Sequence, residues 1–197
     1  MCYIIVMEIP LTPQCNTRNI ALLGFSGTGK STIAAILADQ LHFDRIDTDA
    51  HIERIYGRTI ADLFAERGEA FFRRTEHAVV CAMAGKTNVV IACGGGVVTD
   101  PRNIVNLSKN GLLICLTADP EIAWKRIANS TARPLINSKH DMHKLWTERQ
   151  DMYATIPHQI DTSSLSPLDV AREIMTIYLM LCQKTPPSLV VGMNGLV

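Results

Sequence analysis

The sequence lacks an excess of charge of either sign. Nineteen basic residues are balanced by nineteen acidic ones, so the positive surplus that nucleic-acid-binding proteins usually carry to neutralise phosphates is missing. No apolar run approaches the roughly 20 residues that a helix needs to cross a bilayer, and no basic leader precedes the short apolar patch at the start of the chain. We therefore expect neither a nucleic acid nor a membrane among the partners of this protein.

Cysteine pairs of the C-x-x-C type are also absent, because the six cysteines are scattered along the chain. This scatter predicts reduced, mostly buried thiols of a cytoplasmic protein and argues against disulfides or zinc ligands. No repeat or low-complexity tract is present, and 197 residues suit one domain with its own core. We expect that domain over residues 18–183, with an N-terminal extension at 1–17 and a C-terminal tail at 184–197.

Three continuous apolar runs alternate with amphipathic helical patterns. The runs are NIALL at 19–23, VVIAC at 89–93 and LLICL at 112–116, and such runs are typical of strands that are buried on both faces of a parallel sheet. Shorter strands are expected in FDRID at 43–47 and HQIDT at 158–162. The alternation predicts a three-layer α/β/α sandwich with a central five-stranded parallel sheet.

A polar segment without clear periodicity lies in the second half of the chain, at about residues 129–145. It contains a proline and little apolar surface with which to pack against the domain. Segments of this kind are typical of functional surface loops of low local stability. We therefore predict a mobile lid there.

The segment GFSGTGKST, residues 24–32, fits the phosphate-binding pattern G-x-x-x-x-G-K-[ST]. It lies between a buried strand and an amphipathic helix, which is the context that this motif requires. Its glycines let backbone N–H groups turn inward, and the helix N-terminus adds a partial positive charge. The segment predicts a nucleotide site in which Lys30 reaches the β- and γ-phosphates and Ser31 binds Mg²⁺. The expected contact residues are Gly27, Thr28, Gly29, Lys30, Ser31 and Thr32.

Other patterns exclude several classes of nucleotide-binding protein. No Asp has Gly three residues later, as a GTPase switch requires, and no N-K-x-D motif is present for guanine. Adenylate-type kinases usually place Gly after the loop lysine, where this chain has Ser31 and Thr32. A kinase of a small metabolite is left as the leading class.

Two carboxylates, Asp47 and Asp49, follow the second predicted strand. Residues two apart in an extended segment project to the same side, and the carboxyl ends of parallel strands are where α/β sheets bind ligands. Two carboxylates so close repel each other unless a divalent cation neutralises one while the other faces a ligand hydroxyl. The alternative is a solvated helix N-terminus with Asp49 as its N-cap.

Arginines and glycines complete the set of candidate residues. Arg73 and Arg74 are adjacent on a predicted helix, about 100° apart around its axis, so at most one of them faces inward. The guanidinium fork suits a planar carboxylate. The three glycines at 94–96 end a buried strand, which suggests close approach of a ligand to the backbone, or else a loose loop. Arg133 lies in the lid and Arg149 on the helix after it.

Together these motifs resemble the shikimate kinase family. The matches are the phosphate loop GFSGTGKST, DTD with Glu53 following it, GEAFFRR, GGG, RPLI and the ER pair with a Tyr soon after. They occur in family order over roughly residues 18 to 182. The resemblance implies a nucleoside monophosphate kinase-like P-loop fold and ATP-dependent phosphorylation of the 3-hydroxyl of shikimate. It also implies a monomeric, cytoplasmic enzyme of the chorismate route to aromatic amino acids.

The resemblance also implies roles for individual residues on the nucleotide side. Lys30 and Arg133 neutralise the transferred phosphoryl group, with Arg133 closing on the phosphates as part of the lid. Asp47 matches the aspartate on the Mg²⁺ side, next to Ser31. Arg126 matches the position that stacks on adenine in some members of the family.

On the substrate side, Asp49 matches the aspartate that bonds the hydroxyl groups of shikimate, and we expect it to orient the attacking hydroxyl. Arg73 and Arg149 match the arginines that bind the substrate carboxylate, and Gly95 matches a backbone contact. The chain departs from the family pattern after Arg149, where Asp151 and Met152 replace Pro and Leu. Two alternatives remain: a gluconate- or nucleotide-type kinase, which should lack the arginine pair and the triple glycine, and a nucleotide-binding regulatory domain without turnover.

Overall fold

The computed structural model describes residues 18–127, 135–136 and 138–183 of the chain. Strands and helices alternate along most of it. The strands are β1 (Asn19–Gly24), β2 (Asp44–Asp47), β3 (Val89–Ala92), β4 (Gly111–Thr117) and β5 (His158–Asp161). The helices are α1 (Lys30–Leu41), α2 (Thr48–Tyr56), α3 (Ile60–Ala84), α4 (Pro101–Ser108), α5 (Pro120–Ile127), α6 (Lys139–Ala154) and α7 (Pro167–Gln183), with a 3₁₀ turn at Val97–Thr99.

The five strands form one parallel sheet in the order β2-β3-β1-β4-β5. Alternate residues of β1 point to opposite faces. Ile20 and Leu22 pack in a cluster with α1 and α7, whereas Ala21 and Leu23 pack in a cluster with α3, α4 and α6. Both faces of the central strand are therefore buried, which is why its sequence is a continuous apolar run. The predicted three-layer sandwich with a five-stranded parallel sheet is confirmed.

The carboxyl ends of the strands meet at one edge of the sheet. β1 lies between β3 and β4, so the connections that follow these strands diverge to either side of it. Such a point in an α/β sheet leaves a crevice that ligands commonly fill. The phosphate loop after β1, the DTD segment at the end of β2 and the glycines after β3 all open into this crevice.

The prediction of a loop over 129–145 is wrong for its last seven residues, because α6 begins at Lys139. The hydroxyl of Ser138 accepts a hydrogen bond from the N–H of Asp141 at 3.1 Å and so caps the helix. Met142 is fully buried in the core and anchors the first turn. Most of the rest of the predicted lid, at 129–134 and 137, lies outside the described residues, as do the predicted extension at 1–17 and tail at 184–197.

The cysteines follow the prediction in part. Cys93 and Cys115 are buried free thiols and Cys81 is an exposed free thiol. Cys182 is disulfide-bonded, so the prediction of a reduced thiol is wrong at that position. None of the helices in the described part of the chain is long and apolar enough to cross a membrane.

Candidate active site

The phosphate loop packs directly against neighbouring backbone. Gly24 and Gly27 have φ angles of 133° and 84°, a region that L-amino acids with a side chain rarely adopt. A Cβ atom at Gly24 would collide with the carbonyl of Leu116 at the end of β4, and one at Gly27 would collide with the carbonyl of Ala123 in α5. The two glycines are therefore required by the close packing of the loop as well as by its turns.

Lys30 places its ammonium group inside the loop. The Nζ atom donates to the carbonyl oxygens of Gly24 and Phe25, at 2.7 Å each, and the side chain is buried. The hydroxyl of Thr28 donates to the carbonyl of Phe25 at 2.9 Å. A cation held at the start of a helix, next to inward-facing backbone amides, gives this loop the chemistry of an anion site.

Asp47 uses its two carboxylate oxygens for different contacts. Oδ1 accepts from the backbone N–H groups of Asp49 and Ala50, at 3.1 and 3.2 Å, and thereby caps α2. Oδ2 accepts from the Ser31 hydroxyl at 2.7 Å. The alternative of a capped helix N-terminus is thus correct, but its N-cap is Asp47 and the prediction of Asp49 as the cap is wrong. Ser31 and Asp47 meet, as the prediction of a shared metal site requires.

A cavity of about 540 Å³ lies over the phosphate loop; we call it the large cavity. Gly27 to Thr32, Asp47, Asp49 and Arg126 are among the residues that line it. The guanidinium of Arg126 donates to the carbonyls of Gly27 and Thr162, at 3.2 and 2.8 Å. Arg126 therefore ties α5 to the phosphate loop and to the segment after β5, at the rim of the large cavity.

A second cavity of about 70 Å³ adjoins the first; we call it the small cavity. Its charged lining residues are Asp49, Arg73, Glu76 and Arg149, and apolar side chains including Phe64 and Phe72 complete it. The small cavity shares Asp49, Ile60 and Gly95 with the large one. Asp49 is therefore the only carboxylate that lines both cavities within the described ranges 18–127, 135–136 and 138–183.

Arg73 is the arginine of the adjacent pair that faces inward. Its Nη1 atom lies 2.7 Å from Oε2 of Glu76, and Nε and Nη2 each lie 3.1 Å from Oε1 of Glu69. Its Cζ atom is 5.3 Å from the ring centroid of Phe72. Arg74 is exposed, so the prediction that at most one of the two arginines faces inward is confirmed.

Glu76 is a site residue that the sequence analysis missed. It is 1% exposed, and burial raises the pKa of its carboxyl group to about 6, although Arg73 acts in the opposite direction. The nearby charge of Asp49 raises this pKa further. The spacing of three residues from Arg73 places both side chains on one face of α3, and that spacing is the signal that could have identified it.

Two of the three glycines at 94–96 are explained by side chains of the site itself. A Cβ atom at Gly94 would collide with the Asp49 carboxylate, and one at Gly96 would collide with the Arg73 guanidinium. The carbonyl oxygen of Gly95 accepts from Nη1 of Arg149 at 3.1 Å and from the Tyr153 hydroxyl at 2.5 Å. The alternative of a loose loop does not fit these contacts. Tyr153 had no predicted role.

The remaining candidates are placed as follows. Glu53 accepts the backbone N–H of Ile60 at 2.9 Å and so supports the junction of α2 with α3. Arg133 lies outside the described residues. No group of three or more His, Cys, Asp and Glu side chains in the described ranges could hold a metal ion by itself. The pair Ser31 and Asp47 still fits Mg²⁺, because this ion usually keeps several water ligands and binds one or two protein groups together with substrate phosphates.

Comparison with known proteins gives a consistent result. The family model "Shikimate kinase" matches residues 26–178. The chain is 44% identical over 159 residues to the shikimate kinase of Pelotomaculum thermopropionicum, covering 79% of this chain and 92% of that protein. It is 41% identical over 167 residues to the shikimate kinase of Thermoanaerobacter pseudethanolicus, covering 83% and 98%.

Solved structures agree with these relatives. The shikimate kinase from Acinetobacter baumannii in complex with shikimate matches with a TM-score of 0.79 at 30% identity, over 83% of this chain and 93% of that one. A gluconokinase from Sinorhizobium meliloti matches with a TM-score of 0.56 at 14% identity, over 86% of this chain and 96% of that one, which indicates a shared fold alone. The chain therefore belongs to the shikimate kinase family.

Proposed function

We propose that this protein transfers the γ-phosphoryl group of ATP to the 3-hydroxyl of shikimate, giving shikimate 3-phosphate and ADP. The observation that carries the proposal is the position of Asp49 between the two cavities. On one side lies a phosphate loop with a buried lysine, and on the other side lie two arginines. A kinase of a small hydroxy acid needs this arrangement, with a carboxylate at the point where the two substrates meet.

Shikimate carries one carboxylate and several hydroxyl groups. In the proposed mode of binding, Arg73 and Arg149 bind the carboxylate in the small cavity, because the guanidinium fork matches its planar shape. The small cavity is continuous with the large one at Asp49 and Gly95, so the ring lies beside Gly95 with its hydroxyl groups towards Asp49. There Asp49 accepts a hydrogen bond from the reacting hydroxyl, orients it and takes its proton during transfer.

The nucleotide side mainly positions and neutralises charge, because phosphoryl transfer has a loose transition state with its charge on the γ-oxygens. Gly27 to Thr32 bind the phosphates through backbone and side-chain donors, and Lys30 turns its ammonium group towards the β- and γ-phosphates. Ser31 and Asp47 would hold Mg²⁺. When bound, that ion neutralises charge on the phosphate oxygens. Arg126 contacts the adenosine end at the rim of the large cavity.

Further parts of the proposal rest on the family resemblance and on composition. Arg133 closes over the phosphates as part of a lid. The catalytic domain extends over 18–183, and the protein acts as a cytoplasmic monomer without nucleic acid or membrane as a partner. The even balance of basic and acidic residues supports the absence of nucleic acid.

A coupled assay of ADP release, with and without shikimate, tests the proposed function. We expect ADP release in the presence of ATP and Mg²⁺ to depend on shikimate and to be close to background without it. Gluconate and nucleoside monophosphates serve as control acceptors. ADP release that ignores shikimate but follows one of these acceptors would replace the proposal, and nucleotide binding without any turnover would indicate a regulatory domain.

A further inference from the structure

The ladder between β2 and β3 ends where the chain enters α2. The two strands pair in parallel as far as Asp47 opposite Ala92, and Thr48 is the first residue of the helix. Two residues beyond the end of β3, the contact between the two segments is made by a side chain, because the N–H of Gly94 donates to the Thr48 hydroxyl oxygen at 2.8 Å. Thr48 therefore continues, through its side chain, a connection that the backbone of β2 no longer makes.

Thr48 lies at the centre of the site without lining either cavity. It is fully buried. The residue before it bonds the phosphate-loop Ser31, and the residue after it, Asp49, occupies the space left by the missing side chain of Gly94. The same glycine thus donates its backbone N–H to Thr48 and leaves the space that the Asp49 carboxylate fills.

We propose that Thr48 is a positioning residue, whose hydroxyl holds the 94–96 glycine segment in register with Asp49. This inference rests on the proposed function, in which Gly95 and Asp49 both contact the same shikimate molecule. Asp49 lies just after β2 and Gly95 just after β3, so their separation depends on the link between the segments that follow these two strands. Thr48 supplies that link at the place where the ladder stops, next to the residues that touch the substrate.

The role belongs to the oxygen atom and not to the shape of the side chain. Valine keeps the β-branched shape of threonine but cannot accept a hydrogen bond, so Thr48→Val leaves the buried Gly94 N–H without its acceptor. Serine keeps the oxygen and loses only the methyl group. The pair Thr48→Ser and Thr48→Ala repeats the comparison between a side chain with the hydroxyl oxygen and one without it, at a smaller size. This second pair keeps the test valid if the valine variant fails to fold.

The experiment measures kcat and KM for each substrate in the four proteins. We expect Thr48→Val to lower kcat/KM for shikimate by about tenfold, the effect of one lost buried hydrogen bond, while KM for ATP stays within about twofold. Thr48→Ser should stay close to wild type, and Thr48→Ala should fall below Thr48→Ser by a similar factor.

Asn19, on β1, provides a matched control because its side chain supports the opposite end of β3. Its buried side-chain oxygen accepts the backbone N–H of Val89, the first residue of β3, at 3.1 Å. Asn19→Ala should lower the midpoint of urea unfolding but leave KM for shikimate unchanged. A loss of shikimate binding in this variant would mean that general loosening of β3 is enough to explain the Thr48 result.

The possible outcomes separate this inference from the proposed function. If wild-type protein releases no ADP in response to shikimate, the proposed function fails. If wild type is active but Thr48→Val has a kcat/KM for shikimate within twofold of it, the positioning role alone is wrong. Equal losses for valine and serine, or an equal loss for ATP, would also overturn it.

Discussion

The two sides of Asp49 are built in different ways. The phosphate loop side consists of one continuous segment, 24–32, whose shape follows from its backbone. Two of its glycines, Gly24 and Gly27, pack against the backbone of β4 and α5. The arginine side is assembled from α2, α3, the segment after β3, and α6. There the contacts are between charged side chains. Gly94 and Gly96 are needed because they leave space for these side chains, and not because the backbone turns there.

This difference predicts which side of the site is more sensitive to side-chain substitutions. In the phosphate loop the donors to a bound phosphate are mainly backbone amides, so few side-chain substitutions there can weaken nucleotide binding. On the arginine side each charge depends on another, because Arg73 is held by Glu69 and Glu76 and the pKa of Glu76 responds to Asp49. Substitutions on this side should change shikimate binding and pH dependence while ATP binding stays constant.

The largest effect is expected at the junction, from Asp49→Asn. The amide keeps the shape of the side chain but is a poor base, so turnover should fall by about 10²- to 10⁴-fold, with nucleotide affinity near wild type. Single-turnover rates and titration with a fluorescent ATP analogue measure the two quantities. Asp39→Asn, at an exposed position of α1, is the control. A near-normal rate in Asp49→Asn would remove Asp49 from the mechanism.

A smaller effect, confined to the arginine side, is expected from Glu76→Ala. Removal of the buried partner lets the Arg73 guanidinium turn towards exposed Glu69, so KM for shikimate should rise by about 10- to 100-fold, since breaking a buried ion pair is costly. Glu69→Ala is the matched control, because Glu69 binds the same arginine from a side chain that is 54% exposed. It should change KM by about twofold or less.

Steady-state kinetics with each substrate varied in turn separate these outcomes. Equal effects of the two glutamate variants would show that burial of Glu76 is irrelevant to the position of Arg73. A rise in KM for ATP as large as that for shikimate would show that the two sides of the site are not independent.

The pH dependence of stability should reveal Glu76 directly. Burial raises its pKa from 4.5 to about 6 in the folded protein, so the folded state binds this proton more tightly than the unfolded chain. The stabilisation by the protonated form is therefore complete below about pH 4.5 and is lost as the pH rises through about 6. The total is about 2 kcal/mol.

Urea unfolding of wild type and Glu76→Gln between pH 4 and 7.5 measures this contribution. The difference in free energy of unfolding, wild type minus variant, should decrease with rising pH across that window, because glutamine does not titrate and the groups that do not interact with Glu76 cancel in the difference. A difference that stays constant with pH, or increases, would contradict the raised pKa.

The sequence predicted the fold and the phosphate loop because both are encoded locally. Continuous apolar runs identify buried strands, and nine consecutive residues define the loop with its flanking elements. On the arginine side, Asp49, Arg73, Gly95 and Arg149 could be identified from motifs, and the structure brings them together.

Their supporting contacts could not be predicted in the same way. The Tyr153 bond to Gly95 joins residues 58 positions apart in the sequence, and the Thr48 bond to Gly94 joins residues 46 apart. These contacts depend on the order of strands in the sheet and on the packing of α6 against it, which local sequence patterns do not encode. The start of α6 was missed for a different reason, since the buried Met142 that anchors it stands in an otherwise polar segment.

The smallest effect is expected from Tyr153→Phe, which removes one of two donors to the Gly95 carbonyl. Arg149 still donates at 3.1 Å, so the loss should be about 1 kcal/mol in the free energy of unfolding, with less than about a threefold rise in KM for shikimate. Burial raises the pKa of Tyr153, so its hydroxyl stays a donor throughout the working pH range. Tyr178→Phe is the control, because that ring packs edge-on against Phe43 in the cluster beneath α1 and α7, on the opposite face of the sheet. A tenfold rise in KM from Tyr153→Phe alone would mean that Arg149 cannot hold Gly95 without it.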